Sequence, residues 1–465
     1  MARQFSSYGI DASELDKWLR ELAEFIAIPS ISADPERKGD VRLANDWVSQ
    51  RIRRAGGQAV VEEFNGAPLT LGEIHASAEP GSAPTVLVYG HVDVQPPDPI
   101  ELWVTPPFEL QVRDGWAYGR GTADDKGQLF MLLEAVRRLA TAGELPVNVR
   151  FACDGEEEIE GHTIGDWIAA DQRGADVCLI YDSSMLNRET PTFAMGCRGL
   201  LYFHLRIRTG DRDLHSGQFG GAALNASHAL TQTLAAVLPR DGQLPAPLRA
   251  GTQSPPSEHF GAVERRFPGE KVLNAQGATP AYATAAKDFY LRTTAEPSLD
   301  INGIASGSPY LVKTVLPVVA EANLSIRLAW GQDPAEIALA LEELLRRAVP
   351  NGAKLELELL GSSAAAFQDP SATTVFELGQ NAVEDVLGVR PLLMRGGGSI
   401  PIFPALVNRG IPTIITGFDV PEGNIHSPNE RLAVDLLAAG IVTAESLLKR
   451  FGQIGRPAAR AHTGR

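Results

Sequence analysis

Apolar positions along this chain follow two spacings, and the places where one gives way to the other mark its organisation. Leu15, Trp18, Leu19, Leu22 and Ile26 recur at helical spacing behind Asp11 and Glu14, which resemble a capping box, so an amphipathic helix is predicted there. A second helix is predicted in DVRLANDWVSQRIRRAGG, with Leu43, Trp47, Val48 and Ile52 on one stripe and Gly56 as its stop. Three apolar runs then share one punctuation: TVLVYGHVD, VNVRFACDGEEE and DVCLIYD. None shows polar alternation, as expected of strands covered on both faces in a parallel sheet, and each ends in side chains able to bind a cation. Between the first two lie GRGTADDKG and the amphipathic QLFMLLEAVRRLATAG, a helix that would carry the chain back for another parallel strand. The pattern predicts an α/β, doubly wound domain.

The character changes after Gly196. LYFHLRIRT alternates like a half-exposed strand, ALNASHALTQTLAAVL reads as a helix, and AEANLSIRLAW, PAEIALALEELLRRAV and AKLELELL give strand, helix, strand. This order predicts an inserted α+β unit, with a surface loop across the Pro/Gly-rich stretch from Pro239 to Pro256. After about Asp369 the first style returns in TVFELGQNAVEDVLG, TIITG and LAVDLLAAGIVTAESLLKRF, and the tail GQIGRPAARAHTGR is expected to fray. The expected division is therefore 1–196 and 370–465 for the doubly wound domain and 197–369 for the insertion.

Bulk composition narrows the partners. With 42 basic against 57 acidic side chains the net charge is −15, which disfavours nucleic acid and acidic membrane surfaces. Cys153, Cys178 and Cys197 form no close pair, and the first and second lie in apolar runs, which fits a reducing compartment. The N-terminal MARQFSSYGIDASELDKW lacks the apolar core of a signal peptide, and nowhere do about 18 apolar residues run together. The expectation is a cytoplasmic protein.

The residues that carry chemistry are scattered: His91 with Asp93, Asp124, Glu157 with Glu158, Asp182, and His426 in GNIHSPNE. Imidazole and carboxylate donors suit zinc, and one bridging carboxylate can hold two such ions about 3.5 Å apart. In extended chain His91 and Asp93 point to the same side, so Asp93 can brace the ring of His91 while its other nitrogen binds metal. Glu157 and Glu158, being adjacent, point to opposite sides, which lets one ligate and leaves the other as a general base. Each residue also has an ordinary reading. Asp124 or Asp125 before a helix is commonly an N-cap, Glu156 to Glu158 can be a solvated charge run, Asp182 can cap a turn, and His426 can be a loop residue. Their joint placement after apolar strands favours the metal reading, because it brings them to one edge of one sheet.

GHVDVQP, YGRGTADDKG, DGEEEIEG, LIYDSS, RDLHSGQFGG and NIHSPNE, in that order, resemble the successive motifs of the aminoacylase/carnosinase family of dizinc metallopeptidases, from about residue 12 to residue 450. The resemblance implies a zinc-peptidase catalytic domain with an inserted lid and dimerisation domain. It makes His91 and Asp182 ligands of one ion, Glu158 and His426 ligands of the other, and Asp124 the bridge. Glu157 becomes the base and Asp93 the support of His91. His215 would reach the active site of a partner subunit in a homodimer and polarise the scissile carbonyl. Thr314 in KTVLP and Arg327 in LSIRL resemble the carnosinase branch's contacts to the substrate carbonyl and carboxylate, and RGGGSIP offers Arg395 and Ser399 at the opposite wall. Glu160 departs from the family pattern, which has glycine there.

Taken together these features imply a hydrolase with two divalent ions, zinc or else manganese or cobalt, that cleaves a small peptide, most simply a dipeptide. An N-acyl amino acid amidohydrolase is the alternative within the same chemistry. A nucleotide-binding α/β protein or a metal-free binding module is the alternative outside it, and the full ligand set argues against both.

Overall fold

A computed structural model describes residues 5–253 and 261–455. The chain divides into two compact units: Met1–Met195 with Gln368–Met394 and Pro401–Arg465, and Gly196–Phe367 with Arg395–Ile400. The first is built on an eight-stranded mixed sheet. Its order is Gln58–Phe64, Ala67–Ile74, Asn148–Asp154, Thr85–His91, Val177–Tyr181, Thr413–Thr416, Thr192–Ala194 and Leu392–Met394. The central strands Asn148–Asp154, Thr85–His91, Val177–Tyr181 and Thr413–Thr416 run parallel, and an antiparallel hairpin closes one edge. The three unalternating apolar runs are the buried heart of this sheet, where Val86 to His91 and Val177 to Tyr181 have almost no exposure.

Register brings the strand ends together. His91 lies opposite Asp154, Tyr89 opposite Ile180 and Thr416 opposite Tyr181, so the loops after all four strands leave from one edge. Two glycines permit the crowding there. A side chain at Gly90 would meet the Asp125 carboxylate at 2.8 Å, and one at Gly417 would stand 1.7 Å from the carbonyl oxygen of Ser183.

Helices cover the sheet. In Ala12–Ile26 the Asp11 carboxylate accepts the backbone N–H of Glu14 at 2.9 Å, the N-cap the sequence predicts. Lys38–Arg54 buries Val41, Ala44, Val48 and Ile52, so Val48 and Ile52 lie on the core face as predicted, whereas Leu43 is 51% exposed. That face packs on the hairpin Gln58–Phe64 and Ala67–Ile74, where Thr70 Oγ1 donates to Asn45 Oδ1 at 2.7 Å, while the half-buried Trp47 stacks on Phe25 to one side, 4.2 Å between ring centroids. Lys126–Ala142 ends at Gly143 in a left-handed turn, and Val434–Phe451 buries most of one long face.

The second unit is a four-stranded antiparallel sheet, ordered Ser298–Ala305, Val319–Leu328, Gly199–Arg208 and Lys354–Ser363. Alternation decides which face is buried: Phe203, Leu205, Ile207, Leu324 and Ile326 point toward Leu230 and Leu234 of Ala226–Ala235 and Leu341 and Leu345 of Pro334–Ala348. The opposite face is polar, with Arg206 paired to Glu321 across strands at 3.2 Å.

Arg395–Ile400, which the sequence pattern places in 370–465, clusters with this second unit instead. The cause is local hydrogen bonding: Gly396 N–H donates to Gly196 O at 2.7 Å, Arg198 Nε donates to Gly397 O at 2.8 Å and Arg327 Nη1 donates to Ser399 Oγ at 3.0 Å. The loop expected from Pro239 to Pro256 contains a short 3-10 turn at Ala246–Arg249, and its last three positions lie outside the described residues. The tail expected to fray lies outside them beyond Gly455.

Candidate metal centre

Apart from Asp124, the site residues of the first unit follow strand ends. His91 closes Thr85–His91, Glu157 and Glu158 form a 3-10 turn after Asn148–Asp154, Asp182 follows Val177–Tyr181, and His426 stands in the loop after Thr413–Thr416. Asp124 precedes the helix Lys126–Ala142. Donor atoms of His91, Asp124 and Asp182 lie within 4.8 Å of one another, as do those of Asp124, Glu158 and His426. Asp124 belongs to both groups: its Oδ1 is 3.0 Å from His91 Nε2 and its Oδ2 is 2.9 Å from His426 Nε2. His426 Nε2 is also 3.1 Å from Glu158 Oε2. Glu157 belongs to neither group.

The braces around these donors differ from simple expectation in one respect. His91 Nδ1 lies 3.1 Å from the backbone oxygen of Asp93 and 3.4 Å from its Oδ1. The Asp93 carboxylate meanwhile accepts the N–H groups of Glu157 at 3.3 Å and Glu158 at 3.1 Å. Asp93 thus orients the histidine largely through its carbonyl and fixes the glutamate turn with its side chain. In that turn Glu160 adopts a left-handed backbone with φ of 54°, the conformation for which glycine is favoured. Asp125 occupies the N-cap position without capping the helix, and its Oδ2 accepts His91 N–H at 3.2 Å.

Electrostatics reflect four acidic groups crowded around two imidazoles. Burial opposes charge on His91, but hydrogen bonds to Asp124 and Asp93 outweigh it and hold the ring's pKa well above the usual value. His426 is pushed up to about 10 by its hydrogen bonds to Asp124 and Glu158. For Asp124 the pull of His426 and His91 exceeds the cost of burial, and its pKa is lowered. Burial, then the charges of Asp124 and Glu158, push Asp182 up to about 7 against the pull of His91. Burial also drives Glu157 well above the carboxylate range; His91 opposes the rise, and Asp182 and Glu158 add to it. Surplus negative charge in a water-poor place, presented by two imidazoles and three carboxylates, is what divalent ions of the zinc type match. The donor set fits such ions.

A family model described as peptidase family M20/M25/M40 matches residues 87–450. The chain belongs to that family. It is 29% identical over 446 residues to the cysteinylglycine-S-conjugate dipeptidase of Corynebacterium striatum, covering 93% of this chain and 95% of the relative. It is 27% identical over 447 residues to the Beta-Ala-His dipeptidase of Homo sapiens, with 90% and 86% covered. The solved structure of the di-peptidase Dug1p from Saccharomyces cerevisiae superposes with a TM-score of 0.83 at 25% identity, covering 97% of this chain and 99% of that one. The doubly wound sheet with an α+β insertion is accordingly the architecture of an M20-type hydrolase.

The remaining predicted residues belong to the second unit of this M20 chain. His215 lies on the short strand Leu214–His215, opposite Val315, and its exposed ring accepts Gly217 N–H at Nδ1, 3.0 Å away. Thr314 is exposed beside it, its carbonyl accepting Ser216 N–H at 2.9 Å. Arg327 and Ser399 are joined by their hydrogen bond, and Arg395 begins the same glycine-rich segment.

Gln95 escaped the reading of single residues. Its backbone N–H donates to Glu158 Oε1 at 3.2 Å and its Nε2 to Glu158 Oε2 at 3.0 Å, so it holds that carboxylate in place. Its position was available as a signal, because 91, 93 and 95 continue one side of an extended chain. Among the described residues no helix is long and apolar enough to cross a membrane.

Proposed function

We propose that this chain is a metal-dependent dipeptidase that hydrolyses the peptide bond of short peptides with a free carboxylate. The observation that carries the proposal is the sharing of Asp124 between two donor groups beside a glutamate that joins neither. In this reading His91 and Asp182 hold one divalent ion, Glu158 and His426 the other, and Asp124 both; zinc is the ion assigned, and manganese or cobalt suits the same donors. Bound ions supply Lewis acidity, which polarises a carbonyl and makes water acidic near neutral pH.

Glu157 then takes a proton from the attacking water and returns it to the leaving amine, a role its raised affinity for protons supports. Asp93 keeps His91 and the glutamate turn in register. The second unit acts as lid and dimerisation domain, with His215 serving the partner subunit's active site as an oxyanion donor. Arg327, with Thr314, Arg395 and Ser399, binds the substrate carboxylate and carbonyl, a task for which a planar guanidinium is suited. Cytoplasmic residence is supported by Cys153 and Cys178, thiols buried within strands of the first unit and outside any disulfide.

The names of the relatives favour dipeptides over N-acyl amino acids. Hydrolysis of Ala-Ala and Cys-Gly by protein loaded with zinc, manganese or cobalt, compared with N-acetyl and N-succinyl amino acids, tests this. Dipeptide turnover that disappears with a chelator is the expected result. Turnover confined to acyl amino acids would replace the dipeptidase with an amidohydrolase, and turnover indifferent to chelator would remove the metal reading.

A further inference from the structure

Glu430 is wholly buried, and the function described above gives it no role. Its two carboxylate oxygens divide four donors between them. Oε2 accepts Arg120 Nη1 at 2.6 Å and Gly121 N–H at 3.0 Å, while Oε1 accepts Ala123 N–H at 2.8 Å and Asp124 N–H at 3.1 Å. Its backbone oxygen also accepts Gly119 N–H at 3.0 Å. Glu430 stands four residues after His426, so one residue ties the loop bearing His426 to the loop bearing Asp124.

The His426 loop carries three left-handed residues in close succession, Asn424, His426 and Asn429, with φ of 56°, 57° and 63°, a conformation that Asn and His tolerate better than most side chains but that is uncommon outside glycine. Such conformations persist where surrounding contacts over-determine them. Asn429 supplies part of the restraint by accepting Val104 N–H and donating to Leu102 O, each at 2.8 Å. Arg431 Nε adds a bond to Glu422 O at 2.8 Å, and Glu430 ties the loop to the metal centre, its partners including the N–H of Asp124, the residue shared by both donor groups.

We infer that Glu430 is a positioning residue of the metal centre: by clamping residues 119–124 against the His426 loop, it sets the spacing of the Asp124 and His426 donors. The inference rests on the metal reading of the site. A carboxylate is required because all four partners are donors; the amide of glutamine would turn its NH2 toward two of them in either orientation. Groups that orient ligands from behind typically change metal affinity ~10–100-fold when removed.

The test compares wild type, Glu430→Gln and Trp18→Phe, each full-length and stripped of metal, then titrated with Co2+ alone against a competing chelator while the visible d–d absorption is recorded. Trp18→Phe removes a buried 2.7 Å hydrogen bond to Glu134 and serves as the reference for general destabilisation. The expected result is a ~10–100-fold loss of Co2+ affinity in Glu430→Gln, with a changed absorption spectrum, and neither change in Trp18→Phe. If Glu430→Gln does not fold, Glu430→Asp carries the same test, since it keeps the charge facing Arg120 but is one methylene too short to reach both sets of donors. Wild-type affinity and spectrum in the Glu430 variant, or an equal loss in Trp18→Phe, would overturn the positioning role and leave the metal centre standing. Wild-type protein that binds no Co2+ would overturn both.

Discussion

Glu157 and Glu158 are neighbours in a short turn, yet one carboxylate joins His426 and Gln95 while the other stays outside both donor groups. That split makes a sharp expectation for substitution. Glu157→Gln keeps volume and every candidate ligand, so metal content measured by elemental analysis should remain at the wild-type level while kcat falls by about 10²–10⁴. Beneath the same turn, Asp154 is buried, with one oxygen accepting Glu156 N–H at 3.1 Å and the other without a partner. Burial, then the charges of Asp93 and Glu156, push it up to about 8. Folded protein therefore keeps this proton until about pH 8, whereas the unfolded chain releases it near 3.8. Between those values the unfolded state binds fewer protons, and stability falls as pH rises. In chelator-treated protein, urea unfolding should show Asp154→Asn gaining on wild type from about pH 4 to about pH 8, and a pH-independent difference would refute the assignment.

At the scale of elements, the apolar strands and the helix periods could be read from residue type alone, because burial on both faces leaves no polar alternation and burial on one face imposes it. The helix face of Lys38–Arg54 could be read only in part, since it is set by the hairpin strands packed on it, among them Thr70 bonded to Asn45. The same holds for Arg395–Ile400, whose partners Gly196, Arg198 and Arg327 are remote in sequence. Candidate donors are visible as strand-terminal histidines and carboxylates, while the bracing roles of Gln95 and of Asp125, which reads as an N-cap, are not, because amide and carboxylate side chains in loops are common. Asp124 connects two strand-end groups, and this makes its loss different from the loss of any other donor. Asp124→Ala should bring bound metal well below two ions per chain, whereas His91→Ala and His426→Ala should each weaken chiefly one; equilibrium dialysis against zinc distinguishes these outcomes.

For the whole molecule, the proposed catalytic cycle needs two copies. If His215 serves the partner's centre, then His215→Ala and Glu157→Gln homodimers are each impaired for different reasons, and a mixed dimer regains one intact site. Random reassociation of the two variants should therefore recover about a quarter of wild-type turnover, from half the dimers with one working site each. No recovery, in a preparation shown by sedimentation to contain mixed dimers, would place His215 in its own subunit's chemistry or outside it.

Hydrophobic spacing and the order of the motifs were enough to indicate the class of fold and the candidate donor residues, because burial and ligand chemistry act on side-chain type. Folding alone decided that Asp93 braces His91 mainly through its carbonyl, that Gln95 and Asp125 support the donors, and that Glu430 joins two loops. Those features depend on strand register and on hydrogen bonds between groups up to about three hundred positions apart, and no local pattern of residues encodes such distances.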